Sequence, residues 1–134
     1  MTSLIKIEGI GESYAQKLRG QGIGSTEALL ASGATPKGRK DLSARSGVSE
    51  TLILEWVNLA DLFRVKGIGE EYSDLLEEAG VDTVPELAQR NPANLYETLV
   101  AINQQKKLVR KLPTQGQVGS WVDQAKALPR LVSY

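Results

Sequence analysis

Apolar residues recur at helical spacing along the chain. Leu52, Ile53, Trp56, Val57 and Ala60 follow one another at intervals that place them on one face of an α-helix. No segment sustains the period-two alternation that is typical of a half-buried strand. The pattern therefore predicts an all-α fold, with no β-sheet.

Glycines and small polar residues mark where these helices begin and end. Gly22 and Gly80 stand where a helix would end in a left-handed cap. Ser25, Thr83 and Ser49 each precede an apolar helical pattern, and their side-chain oxygens can accept a hydrogen bond from the helix start. The chain is therefore predicted to consist of short helices joined by tight turns.

An internal repeat relates the two halves of the chain. Residues 7–23 align with residues 65–81 at an offset of 58. Trp56-Val57 matches Trp121-Val122 at an offset of 65, so the second copy carries about seven extra residues. The positions that are identical in the first alignment are Gly9, Ile10, Gly11, Glu12, Tyr14, Leu18 and Gly22, with their partners 58 residues later.

The repeat predicts the domain organisation. Residues 1–64 form a first helical hairpin unit and residues 65–134 a second one. No linker rich in Pro, Gly or Ser separates the copies. We therefore expect the two tandem units to pack as one compact domain with pseudo-two-fold symmetry.

Each copy opens with a Gly-Ile-Gly turn, at Gly9-Ile10-Gly11 and at Gly67-Ile68-Gly69. Both glycines are expected to adopt backbone angles that a side chain would oppose, with the isoleucine pointing into the core. Ala15 and Ser73 are small, which suits a second helix crossing close by. Such a turn leaves free N–H groups at the start of the next helix, and these can hold an anion such as phosphate.

The strings Glu8–Gly11 and Lys66–Gly69 resemble the helix-hairpin-helix family of DNA-binding and DNA-repair proteins. That resemblance implies that the hairpin amides grip DNA phosphates without reading the base sequence. The longer string that runs from residues 55–62 into residues 66–72 is similar to a bacterial family called domain of unknown function 4332. This second resemblance covers nearly the whole chain and implies tandem hairpin units with no established activity.

Composition argues against catalysis. The chain has neither cysteine nor histidine, so it lacks thiolate chemistry and the commonest general base near neutral pH. Adjacent carboxylates such as Glu70 and Glu71 diverge by about 100° on a helix and do not converge on one substrate. We expect a non-catalytic protein with no cofactor and no metal. The absence of a signal peptide and of a long apolar run predicts a cytoplasmic protein that does not enter a membrane.

Charge is balanced in total and polarised along the chain. Lys plus Arg and Asp plus Glu each number 16, whereas a dedicated DNA-binding domain usually has a basic excess. Residues 65–99 carry a net charge of −6 and residues 100–134 a net charge of +5. Two basic clusters recur, and the second is predicted to form one cationic helix face within Asn103–Leu112. The clusters are Lys37, Arg39, Lys40 and Arg45, then Lys106, Lys107, Arg110 and Lys111.

Two functions of different classes fit these observations. In the first, the protein contacts nucleic-acid backbone without sequence preference. In the second, it is a protein-interaction or scaffold module whose hairpins are purely structural and whose basic residues face solvent or pair with the acidic stretch. Glu12, Glu70 and Glu71 favour the second, because a carboxylate beside free amides would occupy the phosphate position. The predicted nucleic-acid contacts are Gly9, Ile10, Gly11, Gly67, Ile68, Gly69, Lys37, Arg39, Lys40, Lys106, Lys107, Arg110 and Lys111.

Aromatic residues occupy matching places in the two copies. Trp56 lies within an amphipathic helix pattern, and Trp121 matches it, so we expect the indole to be buried and not to stack on bases. Tyr14 and Tyr72 match as well and are expected to pack beside the hairpins.

Overall fold

The structure is a computed structural model that describes residues 2–134. Within these residues there is no strand, and about 64% of the chain is helical, which confirms the all-α prediction. None of the helices within 2–134 is long and apolar enough to cross a membrane. A short 3₁₀ helix at Leu4–Lys6 precedes α1 (Glu12–Arg19), α2 (Thr26–Gly33), α3 (Pro36–Ser46), α4 (Glu50–Leu62), α5 (Glu70–Glu78), α6 (Val84–Ala88), α7 (Pro92–Lys106) and α8 (Gln115–Ala127).

The chain divides into two compact units. Unit 1 comprises the residues up to Asp61 together with Arg130–Tyr134, and unit 2 comprises Leu62–Pro129. The boundary therefore lies three residues before the predicted one between Arg64 and Val65, and the last five residues belong with unit 1. In unit 1, α2 packs against α3; in unit 2, α7 packs against both α5 and α8, and α6 packs against α8.

Helix caps follow the local signals in the sequence. Ser25 Oγ accepts a hydrogen bond from the Ala28 amide at 3.1 Å, and Thr83 Oγ1 accepts one from the Glu86 amide at 3.1 Å. Gly22 and Gly80 have φ angles of 81° and 85°, in the left-handed region. These caps were predictable because each depends on residues only three or four positions apart.

A buried tryptophan anchors each unit. Trp56 and Trp121 are each only 1% exposed, which confirms the prediction of burial. The ring of Tyr14 packs against Trp56 with centroids 5.0 Å apart, and the ring of Tyr72 packs against Trp121 at 5.2 Å. Each tyrosine thus packs on the tryptophan of its own unit, at the separation that aromatic pairs prefer.

The first glycine of each Gly-Ile-Gly turn is required by both backbone angle and space. Gly9 has a φ of 93° and Gly67 a φ of 99°. A Cβ atom at Gly9 would lie 3.2 Å from Trp56 Nε1, and one at Gly67 would lie 2.8 Å from Trp121 Nε1. A side chain at either position would therefore be strained and would push on a fully buried ring.

We predict that Gly67→Ala lowers the free energy of unfolding by about 2–4 kcal/mol, from the strained φ and the contact with Trp121 together. Urea denaturation followed by tryptophan fluorescence measures this change. The matched control is Gly119→Ala, which lies within α8 with no atom within 4 Å of the added Cβ. The control should raise stability by about 0.5–1 kcal/mol, because alanine favours helix over glycine. Equal effects of the two substitutions would refute the role of the turn in stability.

Candidate functional site

The second glycine of each turn behaves differently from the first. Gly11 has a φ of −88° and Gly69 a φ of −117°, which any residue can adopt. No atom lies within 4 Å of a Cβ atom built at either glycine. The expectation that backbone angles require both glycines is therefore wrong for the second one. Its lack of a side chain leaves the surface open at the start of the following helix.

These open surfaces coincide with the starts of α1 and α5. Gly11 and Gly69 are the N-cap residues, and as glycines they offer no side-chain cap. The first backbone bonds of the helices run from the Ala15 amide to Gly11 O and from the Ser73 amide to Gly69 O, both at 2.9 Å. The amides that precede Ala15 and Ser73 in the first turn have no intrahelical acceptor. An oxygen anion of a ligand is the kind of acceptor that such groups hold.

The glutamates after the two turns have different environments. Glu12 Oε1 accepts a hydrogen bond from Arg19 Nη1 at 2.9 Å, about two helical turns further along α1. The carboxylate of Glu12 is therefore drawn along the helix, away from the amides at its start. Glu70 and Glu71 are both exposed in the first turn of α5, where they add negative charge beside Gly69.

The second basic cluster does not form one helix face. Helix α7 ends at Lys106, and Lys107 has a left-handed conformation with a φ of 51° and a ψ of 47°. The predicted cationic face is therefore wrong: Lys107, Arg110 and Lys111 lie in the connection of residues 107–114, which we call the basic loop. These three side chains are exposed. Lys106 forms an ion pair with Glu78, which agrees with the alternative of pairing with the acidic stretch.

Two sets of hydrogen bonds fix the basic loop. Asn103 Nδ2 donates to Val109 O at 3.2 Å, and Asn103 Oδ1 accepts from the Val109 amide at 3.0 Å. Val109 itself is buried. The Tyr72 hydroxyl donates to Lys111 O at 2.9 Å. The loop is therefore held both to α7 and to α5.

The bond from Tyr72 joins the basic loop to the first turn of α5, the helix that follows the second Gly-Ile-Gly turn. Tyr72 is the third residue of α5, and α5 begins directly after its N-cap residue Gly69. Sequence reasoning missed both Tyr72 and Asn103 as determinants of the site. The sequence did carry a signal for the longer loop, because the offset between the two copies changes from 58 to 65 residues. The connection between α3 and α4 spans residues 47–49, whereas the basic loop between α7 and α8 spans residues 107–114.

One residue of the first basic cluster, Arg39, is buried in unit 1. Arg39 is only 6% exposed, and its guanidinium donates to Gly33 O at 2.8 Å and to Ser133 O at 2.7 Å. These contacts remove Arg39 from the predicted basic surface. Lys37 and Lys40 are exposed on α3. Among residues 2–134, no group of three or more Asp, Glu, His or Cys side chains could hold a metal ion.

We predict that Asn103→Ala loosens the basic loop, because both hydrogen bonds to Val109 are lost. The free energy of unfolding should fall by about 1–3 kcal/mol. Amide hydrogen exchange at Val109 should accelerate, and mass spectrometry of the exchanging protein measures it. Asn94→Ala, at an exposed position of the same helix, is the control and should leave both quantities unchanged within about 0.5 kcal/mol. Unaltered exchange at Val109 in Asn103→Ala would show that other contacts hold the loop.

Comparison of the chain with curated proteins gave no significant match, and comparison with solved structures gave none. A family model described as a domain of unknown function, DUF4332, matches residues 8–128. The matched range includes both Gly-Ile-Gly turns, both buried tryptophans and the basic loop. Because this match covers most of the chain, the protein belongs to the DUF4332 family.

Proposed function

We propose that the chain is a non-catalytic binding module of the helix-hairpin-helix type, which contacts nucleic-acid backbone without sequence preference. The observation that carries the proposal is the hydrogen bond from Tyr72 to the Lys111 carbonyl at 2.9 Å. This bond ties an exposed basic loop to a helix whose start is open to an anion. Unit 2 is therefore the principal contact surface.

The two parts of this surface suit neighbouring phosphates. The uncapped amides at the start of α5 can accept one phosphate oxygen, aided by the helix dipole. The exposed side chains of Arg110 and Lys111 can each contact a phosphate further along the backbone. Such contacts position a nucleic acid and carry no base information, which explains why we expect binding without sequence preference.

Unit 1 supports a second, weaker contact. Its turn has the same open N-cap at Gly11, and the carboxylate of Glu12 pairs with Arg19. Lys37 and Lys40 add exposed positive charge on α3. Unit 1 has no counterpart of the long basic loop, since its α3–α4 connection spans only residues 47–49.

The alternative is a protein-interaction or scaffold module in which the turns only stabilise the fold. The observation that favours it is the exposed pair Glu70 and Glu71, which adds two carboxylates beside the Gly69 amides. Carboxylates at a helix start stabilise the helix and repel phosphate. Under this alternative, the chain does not bind nucleic acid even at low salt.

We predict that labelled double-stranded or single-stranded DNA or RNA binds the wild-type chain at about 50 mM salt and loses at least tenfold in affinity at about 200 mM. Fluorescence anisotropy gives both values. Arg110→Ala with Lys111→Ala should lower the slope of log affinity against log salt by about 1.8 for duplex DNA, since two phosphate contacts are lost.

The matched control for this pair is Lys6→Ala with Lys126→Ala, which removes the same charge from exposed sites outside the basic loop. The control should keep the wild-type slope within error. No binding at the lower salt sinks the nucleic-acid proposal and favours the protein-interaction alternative. Equal slopes for the two double variants would show that net charge, and not the basic loop, drives binding.

We further predict that Gly69→Ser raises the stability of the protein and lowers its affinity for nucleic acid. Serine is at least as good an N-cap as glycine, so the free energy of unfolding should rise by a few tenths of a kcal/mol. Its hydroxyl accepts from the first-turn amides and fills the open surface, so affinity for nucleic acid should fall about tenfold, as for loss of a charge-assisted hydrogen bond of about 1.5 kcal/mol. Urea denaturation and anisotropy measure the two quantities.

The control for Gly69→Ser is Gly119→Ser, the same substitution within α8 at a site where no atom lies within 4 Å of the added Cβ. It should raise stability slightly and leave binding unchanged. If Gly69→Ser also leaves binding unchanged, the second turn serves the fold alone.

A further inference from the structure

The end of α7 carries a lysine in a backbone conformation that favours glycine. Lys107 is the C-cap residue of this helix, with a φ of 51° and a ψ of 47°. Among residues 2–134 it is the one non-glycine residue with a positive φ, and the other positive-φ positions are all glycines. An L-amino acid in this left-handed region crowds its Cβ atom against the following carbonyl oxygen, whereas glycine does not. We therefore expect lysine to make this cap less stable than glycine would.

Unit 1 has a glycine at the matching helix end. Its helix α3 ends at Ser46, and the C-cap residue Gly47 has a φ of 76°. The Gly47 amide donates to Ser43 O at 2.9 Å. The Lys107 amide donates to Asn103 O at the same distance of 2.9 Å. Glycine thus suits this kind of cap, and the geometry of the helix end does not account for the lysine in unit 2.

The side chain of Lys107 is exposed, so packing does not account for it either. A cation at a helix C-terminus does stabilise the helix through its dipole. Lys106 already supplies such a charge in the last turn of α7, where it forms the ion pair with Glu78. A left-handed residue that neither cap geometry nor packing requires points to a function of its side chain.

Lys107 stands next to the cations of the proposed phosphate contact. It opens the basic loop, and the buried Val109 lies between it and Arg110. The hydrogen bonds between Asn103 and Val109 hold this part of the loop to α7. Three residues of extended chain span at most about 11 Å, and successive phosphates of one DNA strand advance about 3.4 Å along the axis. Lys107, Arg110 and Lys111 can therefore reach phosphates of one short stretch of backbone.

We propose that Lys107 is a third phosphate contact of unit 2, beside Arg110 and Lys111, and that the protein gives up stability at the end of α7 to place a cation there. The proposal rests on the proposed function, because it names a further residue of the same surface. Binding at this position follows the charge of the side chain, while stability follows its backbone conformation.

Three substitutions of Lys107 in the full chain separate charge from backbone conformation. Lys107→Ala and Lys107→Gly both remove the ammonium group, but only glycine relieves the left-handed conformation. Lys107→Arg keeps the positive charge and the Cβ atom. The matched control is Lys126→Ala, which removes one exposed cation from the last turn of α8, outside the basic loop.

Fluorescence anisotropy with labelled double-stranded and single-stranded DNA and RNA, from about 50 to about 200 mM salt, measures binding. Lys107→Ala and Lys107→Gly should each lower the slope of log affinity against log salt by about 0.9 for duplex DNA and about 0.7 for single strands, as for one lost phosphate contact. Lys107→Arg and Lys126→Ala should keep the wild-type slope. In urea denaturation, the unfolding equilibrium constant of Lys107→Gly should be about threefold smaller than that of Lys107→Ala.

The outcomes separate this proposal from the proposed function. If wild type binds and Lys107→Ala and Lys107→Gly keep its slope, Lys107 is not a phosphate contact and the proposal is overturned, while the contact by Arg110 and Lys111 stands. An equal fall in slope for Lys126→Ala would assign the effect to net charge and would also overturn it. If Lys107→Gly is no more stable than Lys107→Ala, the exchange of stability for charge is overturned. Absence of wild-type binding at the lower salt overturns the proposed function and this proposal with it.

Discussion

The close approach of a positive-φ glycine to a buried indole is the constraint on which each unit depends. A Cβ atom at Gly9 would press on Trp56 at 3.2 Å, and one at Gly67 would clash with Trp121 at 2.8 Å. The glycine precedes the first α-helix of its unit and the tryptophan lies on the last, so this one contact joins the two ends of the unit. The tyrosine of the first helix packs on the same ring, at Tyr14 in unit 1. The direction in which that helix leaves the turn is therefore set by the core, before any ligand binds.

This constraint separates the roles of the two glycines. The first glycine is needed by the fold, whereas Gly11 and Gly69 have ordinary backbone angles and open space around them. A serine or aspartate at the N-cap would satisfy the helix amides better than a glycine does. Neither backbone angle nor packing therefore requires glycine at these two positions. The proposed function supplies a reason, since a bare N-cap would let a phosphate oxygen reach the amides.

The parts of the structure that sequence predicted are those governed by near neighbours. The caps at Ser25 and Thr83 and the buried tryptophan helices depend on spacing within one or two turns. The parts that sequence missed depend on distant partners. Helical spacing continued from Asn103 to Leu112, yet α7 ends at Lys106. There Asn103 forms a hydrogen bond with Val109. Tyr72, which lies 39 residues before Lys111, forms a hydrogen bond with the Lys111 carbonyl. Arg39 looked like a surface cation because its partner Ser133 lies 94 residues away.

The zero net charge of the chain decides less about binding than the local arrangement does. At physiological salt the Debye length is about 8 Å, so an exposed phosphate responds to the charges beside it and little to the total. In unit 2, Lys106 and Glu78 neutralise each other through their ion pair, whereas Arg110 and Lys111 stay exposed on a loop that Asn103 and Tyr72 fix. A fixed loop loses less conformational entropy on binding than a mobile one. The two carboxylates in the first turn of α5 act in the opposite direction. They repel a phosphate at the amides of that helix but not at the basic loop. The balance of attraction and repulsion is therefore local to one surface of unit 2. Under the proposed function, it makes binding there more sensitive to salt and to single substitutions than the composition of the chain suggests.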